Sequence, residues 1–96
     1  MSKVMSLGVP VAAPLSDARI GESGVIQRVS GELAGDGVLS AEELERRLLE
    51  LGFVEGARIE VLHEGLVGRD PIAVKLDDMR VAVRRREARA IEVLFD

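Results

Sequence analysis

Leu48-Leu49-Glu50-Leu51-Gly52-Phe53-Val54-Glu55-Gly56-Ala57-Arg58-Ile59-Glu60-Val61-Leu62 is the stretch whose reading decides the fold. It is a helix end, a glycine stop, a second glycine turn and then a strand. Gly52 stands where a helix ends in a left-handed residue, a backbone state that glycine reaches without a Cβ clash. Past Gly56 the apolar period drops to two. Ile59, Val61 and His63 fall on one face, and Arg58, Glu60, Leu62 and Glu64 on the other.

Upstream, Ser40-Ala41-Glu42-Glu43 is a capping box, with Ser40 at the N-cap and Glu43 at the third helical position. Leu39 and Leu44 stand where a hydrophobic staple needs them. Leu44, Leu48 and Leu51 form one apolar stripe, which Leu49 widens. Glu42 with Arg46, and Glu43 with Arg47, are i,i+4 pairs in the favourable order. The helix therefore runs over 41–51.

The flanks read as strands and turns. Val25 to Val29 is a short β-branched run, and the glycine-rich segment from Ser30 to Gly37 is a loop. Gly65 to Asp70 is a second loop. Pro71 opens a strand in which Ile72, Val74 and Leu76 face inward. Asp77-Asp78 makes a two-residue turn, and Met79, Val81 and Val83 return. Residues 85–90 are helix-prone, and 91–95 form the last strand. The expected architecture is mainly β: about five short strands, one inserted helix and a short helical turn. With so thin an aliphatic core, a small closed barrel protects the sheet edges best.

The chain has 96 residues, enough for one domain with a modest core. Residues 1–13 read as a flexible leader and 14–96 as the domain. Val11-Ala12-Ala13 faintly resembles the end of a signal peptide. However, Gly8 and Pro10 interrupt the apolar stretch, and Lys3 is its only basic residue. No apolar run approaches the roughly 20 residues that span a bilayer. Phe53 and Phe95 are the only aromatics, so platforms that stack single-stranded bases are missing. The absence of cysteine removes disulfides, zinc knuckles, iron–sulfur ligation and thiol nucleophiles. A net charge of −4 disfavours nucleic acid as the main partner. The charge is uneven: 79–90 holds Arg80, Arg84, Arg85, Arg86 and Arg89 against Glu87. That cluster is either a solvated face or a patch for an acidic partner or anionic lipid.

Catalytic motifs are missing. There is no glycine-rich phosphate loop. Asp77-Asp78 reads as a turn former, not an acid–base pair. Glu32 to Glu43 resembles an EF-hand calcium loop, with Asp36, Gly37, Ser40 and Glu43 in place. Glu32 crowds its first position and Ala34 offers no oxygen at the third. His63, with Glu60 and Glu64, is the weak candidate for a ferrous or other divalent site. Strand alternation puts His63 opposite both carboxylates.

Several segments in order resemble one family. They are Pro14-Leu15-Ser16-Asp17, Gly21-Glu22-Ser23-Gly24-Val25-Ile26 and Arg46-Arg47-Leu48-Leu49-Glu50-Leu51-Gly52-Phe53-Val54-Glu55-Gly56. Ile59-Glu60-Val61-Leu62, Gly68-Arg69-Asp70-Pro71-Ile72, Arg80-Val81-Ala82-Val83-Arg84 and Glu87-Ala88-Arg89-Ala90-Ile91-Glu92-Val93 follow. Together they resemble the FeoA family of bacterial ferrous iron uptake. The chain departs from that pattern in a longer loop over 31–39, in Asp78 where glycine is common, and in Met79 where tyrosine is common.

The resemblance implies an SH3-like barrel. It also implies a non-enzymatic cytoplasmic accessory, recruited to the inner face of the membrane by FeoB, a permease with a GTPase domain. No cofactor is implied. Candidate contact residues are Leu51, Gly52 and Phe53 at the helix end, and Arg84, Arg85, Arg86 and Arg89. The alternatives are a metal-sensing module related to the C-terminal domain of DtxR-type repressors, and a scaffold or homo-oligomerisation domain.

Overall fold

The computed structural model of the chain describes residues 10–35, 37 and 39–96. Its strands are β1 (Val11–Pro14), β2 (Ser23–Val29), β3 (Arg58–Glu64), β4 (Ile72–Leu76), β5 (Met79–Val83) and β6 (Ile91–Phe95). The helices are α1 (Ala41–Leu51) and the single-turn α2 (Arg85–Ala88). Two 3-10 turns, η1 (Leu15–Asp17) and η2 (Gly31–Ala34), complete the elements. The strands form one antiparallel sheet in the order β1-β6-β2-β3-β4-β5. Among the described residues no pairing joins β1 to β5. The elements that follow these two edges, η1 and α2, pack against each other instead.

All five expected strands form, and β1 is the sixth. Val11 to Ala13, expected in the leader, pair with Phe95, Leu94 and Val93 of β6. Residues 1–9 of that leader lie outside the described residues. Pro14 is tolerated because it ends an edge strand, where a missing N–H breaks little of the ladder.

Helix α1 forms for the reasons its sequence states. Glu43 N–H donates to Ser40 Oγ (3.1 Å), and Ser40 N–H donates to Glu43 Oε1 (3.2 Å). At the other end Gly52 is left-handed (φ 109°). Its N–H donates to Leu49 O (3.0 Å) while Phe53 N–H donates to Leu48 O (3.0 Å), the paired bonds of a Schellman motif. Phe53 and Leu48 are both fully buried, which supplies the apolar contact of that motif. Leu44 is buried and Leu51 partly so, but Leu49 is exposed and does not widen the core stripe.

The segment after β2, expected as loop, holds η2. Gly31 is why it packs: a Cβ there would lie 1.8 Å from the Ala41 carbonyl oxygen. Only glycine lets η2 approach the first turn of α1 that closely.

Two bulges break the expected alternation. In β2 the register with β6 shifts between Ile26 and Arg28, so both Ile26 and Val29 point inward. In β3 the register with β4 shifts between Val61 and His63. Glu60 then faces Lys75 and His63 faces Ala73, two residues of one sheet face. His63 therefore shares the outer face with Glu60, against the expectation from strict alternation.

The ends of β2, β3 and β6 meet at Asp96. Its carboxylate accepts from Ser23 Oγ (2.9 Å) and from the Arg58 guanidinium. The Arg58 hydrogen bond, then the Ser23 one, hold its pKa below the ordinary aspartate value of 3.8. A depressed pKa stabilises the fold above the unfolded value, and that contribution is lost as pH falls through the folded value.

Two outcomes follow from these contacts. Gly31→Ala lowers urea-unfolding stability by about 3 kcal/mol through overpacking on backbone. Asp96→Asn lowers the melting temperature at neutral pH. Wild type and variant converge as pH drops below 3.8, the ordinary aspartate value, in a melting series by circular dichroism.

Candidate functional site

The pole of the barrel formed by η1, the end of β3, the β3–β4 loop and α2 is organised around Arg85. Its Nε–H donates to Arg69 O (2.7 Å), and its Nη1 donates to Ser16 O (2.6 Å) and Ala18 O (3.2 Å). Its Nη2 donates to Glu64 Oε1 (2.9 Å). The Arg85 side chain is 16% exposed and that of Glu64 22%. A planar guanidinium satisfies several acceptors at fixed angles, which a lysine ammonium does not reproduce. Arg85 N–H also donates to Asp70 Oδ1 (2.8 Å). Asp70 thus supplies from a distant loop the cap that Arg84, at the N-cap of α2, does not provide.

This geometry divides the expected contact residues. Arg85 is a clamp within the fold and is corrected out of the accessible patch, because its side-chain donors are spent on four acceptors in η1 and its C-cap, the end of β3 and the β3–β4 loop. Phe53 is likewise corrected: it is fully buried and cannot meet a partner while the domain is folded. Leu51 and Gly52 are half-buried. Arg84, Arg86 and Arg89 are exposed. Arg84 lies 3.9 Å from Asp70, and Arg89 Nε donates to Arg86 O (3.3 Å). Nearby, Glu87 of α2 pairs with Arg47 of α1 at 3.8 Å. Arg86 also lines a crevice of about 40 Å³ with Leu39 and Leu44, far below the volume of a substrate pocket.

The helix end carries apolar surface that sequence reading missed. Leu49, Val54 and Met79 are 42%, 43% and 53% exposed. Met79 reaches the spot where a Gly52 Cβ would be, with Cε at 3.0 Å. The available signal was Met79 itself, a flexible apolar residue next to the Asp77-Asp78 turn.

The metal candidates do not converge. Glu64 is committed to Arg85, which leaves His63 and Glu60 on the outer face. Among the described residues no three His, Asp or Glu side chains could hold an ion together. In the EF-hand-like stretch, Ser40 and Glu43 bond each other and Asp36 lies outside the described residues. The described residues therefore do not fit a resident metal centre.

The Arg85 clamp is measurable. Arg85→Lys lowers stability by about 2 kcal/mol, or roughly 10 °C in melting temperature, while Arg86→Lys stays within about 0.5 kcal/mol.

Against this geometry the chain has clear relatives. A fusion of Fe(2+) transport protein A with the Fe(2+) transporter FeoB from Porphyromonas gingivalis is 38% identical over 79 residues. That match covers 82% of this chain and 8% of the fusion protein, so the chain spans under a tenth of that relative. The FeoA of Stenotrophomonas maltophilia, solved with zinc and described as a prokaryotic SH3 domain protein, superposes with a TM-score of 0.67 at 29% identity. The alignment covers 88% of this chain and 95% of that one. A manganese-dependent transcriptional repressor superposes with a TM-score of 0.71 at 25% identity, over 88% of this chain and 42% of the repressor. The barrel is thus SH3-like, and the same arrangement recurs inside a larger regulator. A family model described as the FeoA domain matches residues 13–94, and with it the chain belongs to the FeoA domain family.

Proposed function

We propose that this domain is an accessory of ferrous iron uptake that docks on an FeoB-type permease at the inner face of the cytoplasmic membrane. The observation that carries this reading is the Porphyromonas relative, in which the matching sequence and an FeoB transporter share one polypeptide. Fusion holds two partners at high effective concentration whatever their intrinsic affinity. Without a covalent link, a domain has to supply that proximity through its own surface. The exposed arginines Arg84, Arg86 and Arg89, and the apolar surface of Leu49, Leu51, Gly52, Val54 and Met79, are the surfaces to do so. Arginines steer association towards an acidic patch, and the apolar residues supply desolvated area.

Docking acts on the permease by binding one of its conformations more tightly than another. If that conformation depends on guanine nucleotide, nucleotide changes the affinity for this domain. By linkage, the domain then changes nucleotide affinity by the same factor.

Calorimetric titration against the soluble cytoplasmic domain of the matching permease, with and without guanine nucleotide, tests this. Saturable binding is expected. The triple variant R84E/R86E/R89E weakens it at least about 10-fold while keeping the wild-type melting temperature. No binding by the folded wild-type protein in either nucleotide state refutes the proposal.

A second reading has one observation in its favour: the β3 bulge puts His63 and Glu60 on the same face. In this reading the domain senses metal, as the fold shared with a manganese-dependent repressor suggests. Anaerobic ferrous titration with stoichiometric uptake that is lost in His63→Ala would replace the first reading with this one.

A further inference from the structure

Among the described residues the two most exposed large apolar side chains are adjacent: Leu66 is 102% exposed and Val67 86%. Scattered surface hydrophobics need no explanation, but a neighbouring pair at a loop apex does. The loop that carries them is firmly anchored at its base. Gly65 N–H donates to Pro71 O (2.8 Å), and a Cβ on Gly65 would lie 2.0 Å from Asp70 O. Arg85 holds Arg69 O and Asp70 Oδ1. Gly68 (φ 66°) and Arg69 (φ 56°) then turn the chain back in left-handed conformations. The apex is presented by its frame and not left out by slack.

The charges around it are sorted. Glu64 is neutralised by Arg85, Asp70 caps α2, and Glu22 accepts from Arg19 N–H (2.8 Å). Arg69, two residues past the apex, and Arg84, 3.9 Å from Asp70 at the base of the loop, are exposed. Arg19, also exposed, follows Ala18, whose carbonyl meets the same Arg85 guanidinium, and Asp17 is the exposed acid of η1.

We infer that Leu66 and Val67 insert into the headgroup–acyl boundary of an anionic bilayer, with Arg69 and Arg84 on the lipid phosphates. The layering supports lipid over a protein pocket. An apolar tip above a cationic collar matches the order of a bilayer surface, apolar inside and anionic at the headgroups. Two side chains and a few arginines give weak, reversible adsorption, which orients the arginine pole towards the membrane. This inference goes beyond the permease reading and does not need it.

The test uses protein-free vesicles, so its outcome is independent of any permease. The full chain is floated with phosphatidylglycerol-rich vesicles and with pure phosphatidylcholine vesicles. Binding to the anionic vesicles that declines with salt is expected. L66D/V67D lowers it at least about 10-fold, and Arg69→Gln or Arg84→Gln about 5-fold each. The chain has no Trp or Tyr, so Leu66→Trp is a single reporter. Its emission shifts to the blue on anionic vesicles and is quenched by brominated acyl chains. Emission that stays water-like refutes the inference. So does flotation indifferent to L66D/V67D, which would mean arginine adsorption alone. Absence of vesicle binding, with L66D/V67D abolishing binding to the permease domain, would also refute it and assign the apex to protein. Unchanged melting temperatures show that the exposed substitutions leave the fold intact.

Discussion

One guanidinium ties the arginine pole together. Arg85 joins η1, the end of β3, the β3–β4 loop and α2, partners up to 69 residues apart in the chain. The strand ladder runs from β1 to β5 without pairing those two edges, so the elements next to them need another tie. Arg85 is that tie, because it belongs to α2 and its acceptors include η1. The guanidinium is mostly removed from water and sits opposite a carboxylate and three carbonyls. Truncating it would leave those groups without a donor in a poorly solvated place, where an unmet acceptor costs far more than a met one returns.

The other half of the barrel rests on ordinary aliphatic packing, with α1 as its lid. The helix is specified locally at both ends, by the capping box and by the Schellman turn at Gly52. It is placed globally by the close approach at Gly31. Agreement between local and global signals is what lets so small a core select one arrangement. Helix 41–51 was therefore readable to the residue: every device that makes it lies within a few positions of its ends. The strands β2 to β6 were readable for a similar reason, since β-branched runs between turn residues need no distant information.

What was not readable depended on distance. β1 is four residues with a proline, and only its pairing with β6 makes it a strand. The bulges in β2 and β3 change which side chains face out without any mark in composition. His63 moved to the outer face for that reason. Arg85 and Arg86 are identical neighbours in sequence, yet one is half-buried among acceptors and the other lies open. Glu64, 21 residues before Arg85, is part of what separates their roles, and no local pattern announces it. Phe53 looked like a contact residue because it follows the helix stop, but the same Schellman geometry that ends the helix drives it into the core.

The antiparallel register of β1 and β6 places Val11 directly opposite Phe95. Both ends of the domain therefore leave from one pole, where Asp96 also meets Ser23 and Arg58. The Arg85 clamp and the Leu66–Val67 apex occupy the other. A tether attached at either end of this domain pulls on the same side. Joined to a larger polypeptide from upstream or downstream, the barrel swings with its arginine pole facing outward.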